Sequence, residues 1–390
     1  MRVLLTESAS LTARETLTAL GRAGHSADLL SSGPGSVGSF SRWRHRLVRV
    51  RPAVHEDPVG WVRSVGRLLA DGHWDAVLPT HEQSWLLALG RSALPAAAPI
   101  PLASAAAFDQ VQGKQAFVRL ADRLGLPQPR WWLAGESPPP DARCWWVKAD
   151  HATAGLGVAR AASAAQTRAA AAEFGPDAIC QEHVEGRYGQ AQGVFARGRL
   201  VAAHCSVGAF EGIGGSASAR LSVAFPDLVA ALSAIGESLQ WHGGLTLDFV
   251  DGPDGPRLIE CNPRQVEPGN AVAAGADLVG RLIAVGRGET SGELVLGRPG
   301  VRTRSTLAMA LGAAERGGRR AALAALAEAR AYGAEVLTPV FADPPSLLPA
   351  AVSVGTAVLA PSRAKSLAGD VVRRYRVTAE QARLVRAALL

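Results

Sequence analysis

Residues 244–264 read GLTLDFVDGPDGPRLIECNPR. Two strand-like runs, LTLDFV and PRLIECN, flank the turn cluster Asp-Gly-Pro-Asp-Gly, the pattern of a β-hairpin. A hairpin centred on Asp254 places Asp248 directly opposite Glu260, with side chains roughly 5 Å apart. Glu260 and Asn262 are two apart on one strand, so they share a face. Two bare carboxylates facing each other repel unless a cation lies between them. Hard oxygen ligands with an amide suit Mg²⁺, which keeps waters and takes further ligands from nucleotide phosphates. The plainer alternative is a surface hairpin with a solvated acidic edge. Against it stand Arg264, a fixed cation two residues beyond Asn262, and the residues upstream.

The chain has 390 residues, of which 48% are hydrophobic, enough for two or three lobes with sizeable cores. No run approaches the length of a membrane span. The N-terminus MRVLLTESAS is a short apolar strand followed by polar residues, which argues against a signal peptide. Cys144, Cys180, Cys205 and Cys261 are scattered without paired spacing, as expected of reduced thiols in a cytoplasmic protein. The net charge of +7 comes from dispersed arginines. The densest basic stretch, 42–51, reads as a solvated face or a cleft wall facing phosphate rather than a nucleic-acid surface. Of 41 basic residues only Lys114, Lys148 and Lys365 are lysine, so each is worth inspecting. The excess of Ala, Arg and Gly matches a GC-rich bacterial genome.

Alternating strands and helices open the chain. Strands are expected at 2–5, 25–30 and 76–78, and helices at 11–24, 58–71 and 82–90. That order implies a parallel sheet covered by helices. No GxGxxG follows the first strand, so a dinucleotide fingerprint is missing. Further on, the pattern predicts a helix at 109–124, strands at 144–148 and 178–183, a helix at 162–174, and a strand pair across 192–205. After the hairpin it predicts a helix at 271–286, a strand at 301–310, and helices at 315–331 and 378–390. The tryptophan pairs Trp131–Trp132 and Trp145–Trp146 suit an aromatic pocket or, more commonly, a core.

Lys114 in DQVQGKQAF, Lys148 ending WWVKAD, the glycine loop HATAGLGV, then Gln181-Glu182-His183-Val184 and the acidic hairpin follow in a fixed order. Over residues 1–290 this order resembles the ATP-grasp superfamily, in particular its carboxylate–amine (amino-acid and peptide) ligases and the related biotin carboxylases. The resemblance implies an α/β fold in which α+β lobes clamp ATP behind an N-terminal parallel-sheet domain. The expected boundaries are 1–105 for that domain and 106–300 for the ATP-grasp domain, with lobes meeting near 185–186. Residues 301–390 would complete the large lobe or form a small C-terminal domain.

The resemblance also assigns roles. Lys114 and Lys148 would hold the α- and β-phosphates as point charges, which arginine's wide fork does not duplicate. Thr153, Gly155 and Gly157 would belong to a flexible phosphate lid. Gln181, Glu182 and Val184 would meet adenine. Tyr188 stands where an acid for the ribose is usual, with Glu185 as a substitute. Asp150 is an unexpected acid so near the phosphates. Asp248, Glu260 and Asn262 would hold Mg²⁺, with Mn²⁺ able to substitute. Arg264 would stabilise the transferring phosphoryl group, and Arg220, after the loop GAFEGIGGSASAR, would be a second oxyanion residue; otherwise Arg220 is a surface charge flanking a helix. The implied reaction joins a small-molecule carboxylate to an amine through an acyl phosphate, releasing ADP and phosphate, in a bacterial natural-product setting. No nucleic-acid or membrane partner is expected, and a homodimer is allowed. The alternatives are phosphorylation of an enol or another oxygen nucleophile, bicarbonate activation, or a catalytically degenerate nucleotide-binding scaffold.

Overall fold

The computed structural model describes residues 1–390 except 34, 153, 154, 156, 290 and 291. Strands β1 (Arg2–Leu5), β2 (Ser26–Leu30), β3 (Arg44–Val48) and β4 (Ala76–Leu78) form a parallel sheet in the order β3-β2-β1-β4. Helices α1 (Leu11–Arg22), α2 (Pro58–Asp71) and α3 (Gln83–Leu89) accompany it. Parallel pairing requires such crossovers, and covering both faces removes any need for polar alternation in β1 and β4. Helix starts carry their own signals. The Ser10 side chain accepts from the Ala13 N–H, and the Asp57 side chain from the Gly60 N–H with Pro58 in the first turn. The sequence pattern shows no strand in the arginine-rich stretch 42–51, yet β3 lies there, at the sheet edge. Its arginines do structural work: Arg46 joins Arg2, His45 and the Trp74 indole N–H around the fully buried Asp28 carboxylate.

Two helices, α4 (Ala105–Asp109) and α5 (Lys114–Arg123), replace the single helix expected over 109–124. Lys114 is therefore the first residue of a helix rather than a residue within one. Strands β5 (Trp131–Leu133), β6 (Trp145–Lys148) and β7 (Val158–Ala161), helix α6 (Ala164–Phe174) and strand β8 (Ile179–Glu182) follow, with an antiparallel order β5-β8-β6-β7. Trp132 and Trp145 meet edge to face, ring centroids 5.5 Å apart, inside this lobe's core. They are packing residues.

The largest sheet is built from β9 (Arg187–Ala196), β10 (Arg199–Glu211), β11 (Ala217–Val223), β12 (Gly243–Gly252) and β13 (Gly255–Asn262), with helix α7 (Pro226–Leu239) between β11 and β12. One face is apolar. Ala191, Val207, Leu247 and Phe249 pack with Leu228, Leu232 and Ile235 of α7. The helix expected over 271–286 is two, α8 (Gly269–Ala273) and α9 (Leu278–Gly286), separated at Gly275, whose φ of +89° suits glycine.

Strands β14 (Val295–Leu296) and β15 (Arg302–Arg304) come next, then α10 (Thr306–Tyr332), β16 (Ala334–Glu335), α11 (Leu347–Leu359), α12 (Ala364–Arg373) and α13 (Ala379–Leu389). The strand expected over 301–310 is only three residues long, and its helix starts at Thr306 rather than 315, bending at Gly317 and Gly318. The full order is β13-β12-β9-β10-β11-β15-β16, with β14 beside β10. Residues 301–390 thus serve two places: β15 and β16 extend the large sheet, while α13 packs on α2 and α3 of the N-terminal layer. Among the described residues no single helix is long and apolar enough to cross a membrane.

Candidate active site

Strands β12 and β13 pair with Asp248 opposite Glu260 and Thr246 opposite Asn262. The turn lies at Pro253 and Asp254, between the paired Gly252 and Gly255, so it is not centred on Asp254. A bulge at Ile259 adds one residue to β13 and restores the expected register at the acidic pair. The Ile259 carbonyl accepts from Lys148 Nζ at 3.1 Å.

Asp248 is buried and surrounded by neutral donors. Gln190 Nε2 reaches its Oδ1 at 3.1 Å, Asn262 Nδ2 its Oδ2 at 3.1 Å, and the Tyr188 hydroxyl bonds it as well. Burial, and then the charge of Glu260, still push its pKa up to about 7. Such a pair needs a cation. Lys114 Nζ, 3.1 Å from Glu260 Oε1, supplies one positive charge there. Among the described residues no group of three or more His, Cys, Asp or Glu is placed to hold a metal. The donor set is two carboxylates and an amide, which fits an ion that draws its other ligands from water and phosphate.

Lys148 ends β6 and is 6% exposed. Its Nζ donates to Gln181 Oε1 at 2.7 Å as well as to Ile259. Burial lowers its pKa to about 8, with Glu260 opposing the shift. The unexpected acid, Asp150, has a structural explanation. Its Oδ1 accepts the Gln115 N–H at 2.8 Å, its backbone carbonyl accepts the Lys114 N–H at 3.1 Å, and its Oδ2 lies 3.1 Å from His151 Nε2. Asp150 therefore ties the start of α5 to the end of β6 and sets the two lysines side by side.

The segment joining the smaller antiparallel sheet to the largest one runs from His183 to Gly186, just after Gln181 near the end of β8. Gln181 is buried, and its Nε2 has no hydrogen-bond partner among the described residues. Glu182 points elsewhere: both its carboxylate oxygens accept from Arg130 at 2.8 Å. Val184 is half-buried and Glu185 exposed. Gly155 and Gly157 take φ of +73° and +63°, and a side chain at Gly155 would meet the Gly214 carbonyl at 3.4 Å, so two glycine-rich loops approach each other. Thr153 lies outside the described residues. Arg264 is buried, its Nε has no partner among the described residues, and its backbone carbonyl accepts from Thr246 Oγ1 at 2.9 Å. Arg220 is no surface charge flanking a helix: it is buried in β11 and pairs with Glu267 at 2.9 Å.

Several site residues escaped the sequence reading. Gln190 and Gln192 alternate along β9 with Tyr188, which the sequence singles out at the ribose position, and His204, Ser206, Ser222 and Thr246 share their face by register. Polar residues at period two in a strand buried on both sides are the signal. His81, after β4, is buried beside Arg264; burial and then that cation hold its imidazole well below its ordinary pKa, hence neutral. Glu7, Glu15 and Glu267 were also unread: Glu7 and Glu15 lie far from the hairpin in sequence, and Glu267, on the loop five residues past Asn262, falls just beyond the motif.

No family model and no curated protein matches this chain. Solved structures do. The ADP complex of an N5-carboxyaminoimidazole ribonucleotide synthetase superposes with a TM-score of 0.59 at 13% identity, covering 81% of this chain and 84% of that one. An L-amino acid ligase from Bacillus licheniformis gives 0.58 at 14%, covering 77% and 78%. The biotin carboxylase domain dimer of the Hydrogenobacter thermophilus 2-oxoglutarate carboxylase, with MgADP, ADP and bicarbonate, gives 0.57 at 14%, covering 77% and 73%. The chain has the ATP-grasp fold that the order of motifs implies.

Proposed function

We propose that the protein is an ATP-dependent, ADP-forming ligase that joins a carboxylate to an amine. The observation that carries this reading is the convergence of Lys114, Lys148, Asp248, Glu260 and Asn262 on one polar patch, with Arg264 on the loop just beyond. A carboxylate is a poor electrophile because its charge repels nucleophiles. Its oxygen attacks the γ-phosphorus, the bond to the bridging oxygen breaks, and ADP leaves. Lys114, Lys148 and Arg264 offset the charge that gathers during transfer. Asp248, Glu260 and Asn262 would hold Mg²⁺, or Mn²⁺ in its place, which would supply positive charge against the phosphates. The Gly155–Gly157 loop excludes water that would hydrolyse the acyl phosphate. The amine then forms the C–N bond as the C–O bond to phosphate breaks.

A bacterial natural-product pathway, a cytoplasmic setting and a homodimer are part of the same reading. The composition and free cysteines support the first two, and the dimeric biotin carboxylase domain among the structural neighbours supports the third. The decisive experiment measures ADP release with a panel of carboxylates and amines, then replaces the amine with hydroxylamine. Hydroxamate accumulates if a carboxylate is activated. AMP in place of ADP, or ADP without hydroxamate, sinks the reading and favours transfer to another oxygen nucleophile.

A further inference from the structure

Helix α11 has no part in the candidate site, yet its composition is unusual for a surface element. Its thirteen residues, LLPAAVSVGTAVL, carry no charge. One face is accounted for: Val354, Ala357 and Val358, at i, i+3 and i+4, belong to the small core that also holds Leu311 and Ala314 of α10. At about 3.6 residues per turn, Leu348, Val352, Gly355 and Leu359 fall together on the other side. Leu348, Val352 and Leu359 are 53%, 54% and 83% exposed, and Phe341 and Leu347, just before, are exposed as well. Together these side chains show on the order of 600 Å² of apolar surface, as much as the largest patch on an ordinary monomer and most of the roughly 800 Å² that each partner of a stable dimer buries. Thr356, beside this stripe, does not need water, since its hydroxyl donates to the Val352 carbonyl at 2.8 Å.

Gly355 points to what covers the stripe. Glycine inside a helix is less stable than alanine. A side chain added at Gly355 would meet nothing within 4 Å, so the chain's own packing does not call for glycine there. What the glycine leaves is room for another helix to come close. The positions 348, 352, 355 and 359 alternate steps of four and three, the spacing of a helix–helix seam. They are also symmetric about the point midway between Val352 and Gly355. Two copies of α11 laid antiparallel about a two-fold axis through that point set Val352 over Gly355 of the partner subunit and Leu348 against the partner subunit's Leu359. A surface that complements itself in this way is what a two-fold dimer requires. Neither helix brings a charge, so nothing in the seam repels. A lipid surface would take up the same apolar area but has no use for the spacing or for the central glycine.

We propose that α11 is the homodimer surface, covered by α11 of a second copy in antiparallel register with Gly355 seating Val352. The inference deepens the homodimer reading above and draws on none of the ligase chemistry. Helix α11 packs on α10 and α12, and it carries none of the residues placed at the phosphate or acidic site.

Light scattering on the full chain at micromolar concentration should give twice the 40.5 kDa of one chain. Val352→Asp puts an unpaired charge in the seam and should raise the dimer Kd at least about hundredfold. Gly355→Ala should raise it about tenfold, while the Tm of the dilute, monomeric protein stays equal or rises, a combination that a glycine needed only by its own chain does not give. Circular dichroism reports on folding. The register is read by cross-linking. In the antiparallel pair Leu348 lies about 16 Å along the axis from Leu348 of the partner subunit. A short bis-maleimide should therefore link Leu348→Cys to Leu359→Cys after the two variants are mixed and exchanged, and should link neither variant to itself. A dimer that survives Val352→Asp, or one in which either cysteine variant links to itself, overturns the inference and keeps the homodimer. A wild-type monomer at every concentration overturns both; if it floats with vesicles of anionic phospholipid and Val352→Asp does not, the stripe belongs to a lipid surface. Absence of ADP release under any carboxylate removes the ligase and leaves the dimer untouched.

Discussion

Lys148 shows how much one side chain is asked to do. Its ammonium is enclosed by Gln181 Oε1 and the Ile259 carbonyl, and burial favours its neutral form. A guanidinium is wider and presents its donors in a planar fork, so it cannot occupy that enclosure. Lys148→Arg is expected to weaken nucleotide binding as much as Lys148→Ala, whereas Lys365→Arg, at a side chain 82% exposed, should be silent. Titration of a nucleotide against each variant checks this; wild-type affinity in Lys148→Arg removes the lysine from the phosphate site. Glu260→Gln removes one of two facing charges and should cut ATP turnover at least about hundredfold with the fold retained. Normal turnover with an unchanged Mg²⁺ response would make the hairpin structural. Glu15 gives a pH signature. Its carboxyl binds a proton more tightly in the folded chain, pKa about 8, than in the unfolded chain, near 4.5. The folded protein therefore holds the extra proton across that window, and stability declines as pH rises through it. Glu15→Gln should raise the apo Tm at pH 8.5, by an amount on the order of a few kcal/mol in stability, and leave it unchanged at pH 4. The same gain at both pH values would argue against a titrating Glu15.

At the level of elements, Asp150 joins α5 to β6. It accepts the Gln115 N–H at the helix start and receives the Lys114 N–H on its carbonyl. Losing such a cap costs about 1 kcal/mol, and here the cost should extend to function because Lys114 begins that helix. Asp150→Ala should lower Tm slightly and weaken nucleotide binding, while Asp150→Asn, whose amide oxygen can still accept, should restore most of both. Equal behaviour of the two variants would show that the cap does not position Lys114. This connection also marks what a sequence can and cannot display. The hairpin was legible because its ligands sit at fixed spacing on two adjacent strands, and the bulge at Ile259 happened to cancel the misplaced turn. Helices α2 and α13 were legible as helical runs over 58–71 and 378–390, and the structure supplies their starts, the Asp57 cap with Pro58 and the Thr378–Gln381 capping box. The split between α4 and α5 was not, because residues 110–113 carry no proline and fit a helical pattern. Glu15 and Glu267 were not legible as a pair either. Their meeting depends on how the N-terminal layer docks against the large sheet, and local periodicity holds no record of that.

On the scale of the molecule, the two ends of the chain close on each other. Helix α13 packs on α2 and α3, with Val385 fully buried in a core continuous with Trp61, Val65, Leu86 and Leu89. Polar bonds fasten it: Ser92 Oγ to the Leu389 carbonyl at 2.6 Å, Gln381 Nε2 to the Val54 carbonyl at 3.1 Å, and the Val377 N–H to Glu82 Oε2 at 3.0 Å. Just before it, the Tyr375 ring lies 4.4 Å from His81, and Gln83 Nε2 donates to the Tyr375 carbonyl at 3.0 Å. The last residues thus brace the loop after β4 that stands over Arg264. Val385→Asp places an unpaired charge in that core and should cost about 3 kcal/mol or more. It acts at a distance from the site, so its effect on chemistry passes only through the brace. Calorimetry should show the N-terminal layer melting earlier, as a separate transition, and ADP release should fall at temperatures where that layer loosens while nucleotide binding to the two antiparallel sheets persists. A single transition at the wild-type temperature would mean that α13 adds nothing to the layer. A split transition with unaltered ADP release would mean that the loop after β4 holds its shape without help from the C-terminus.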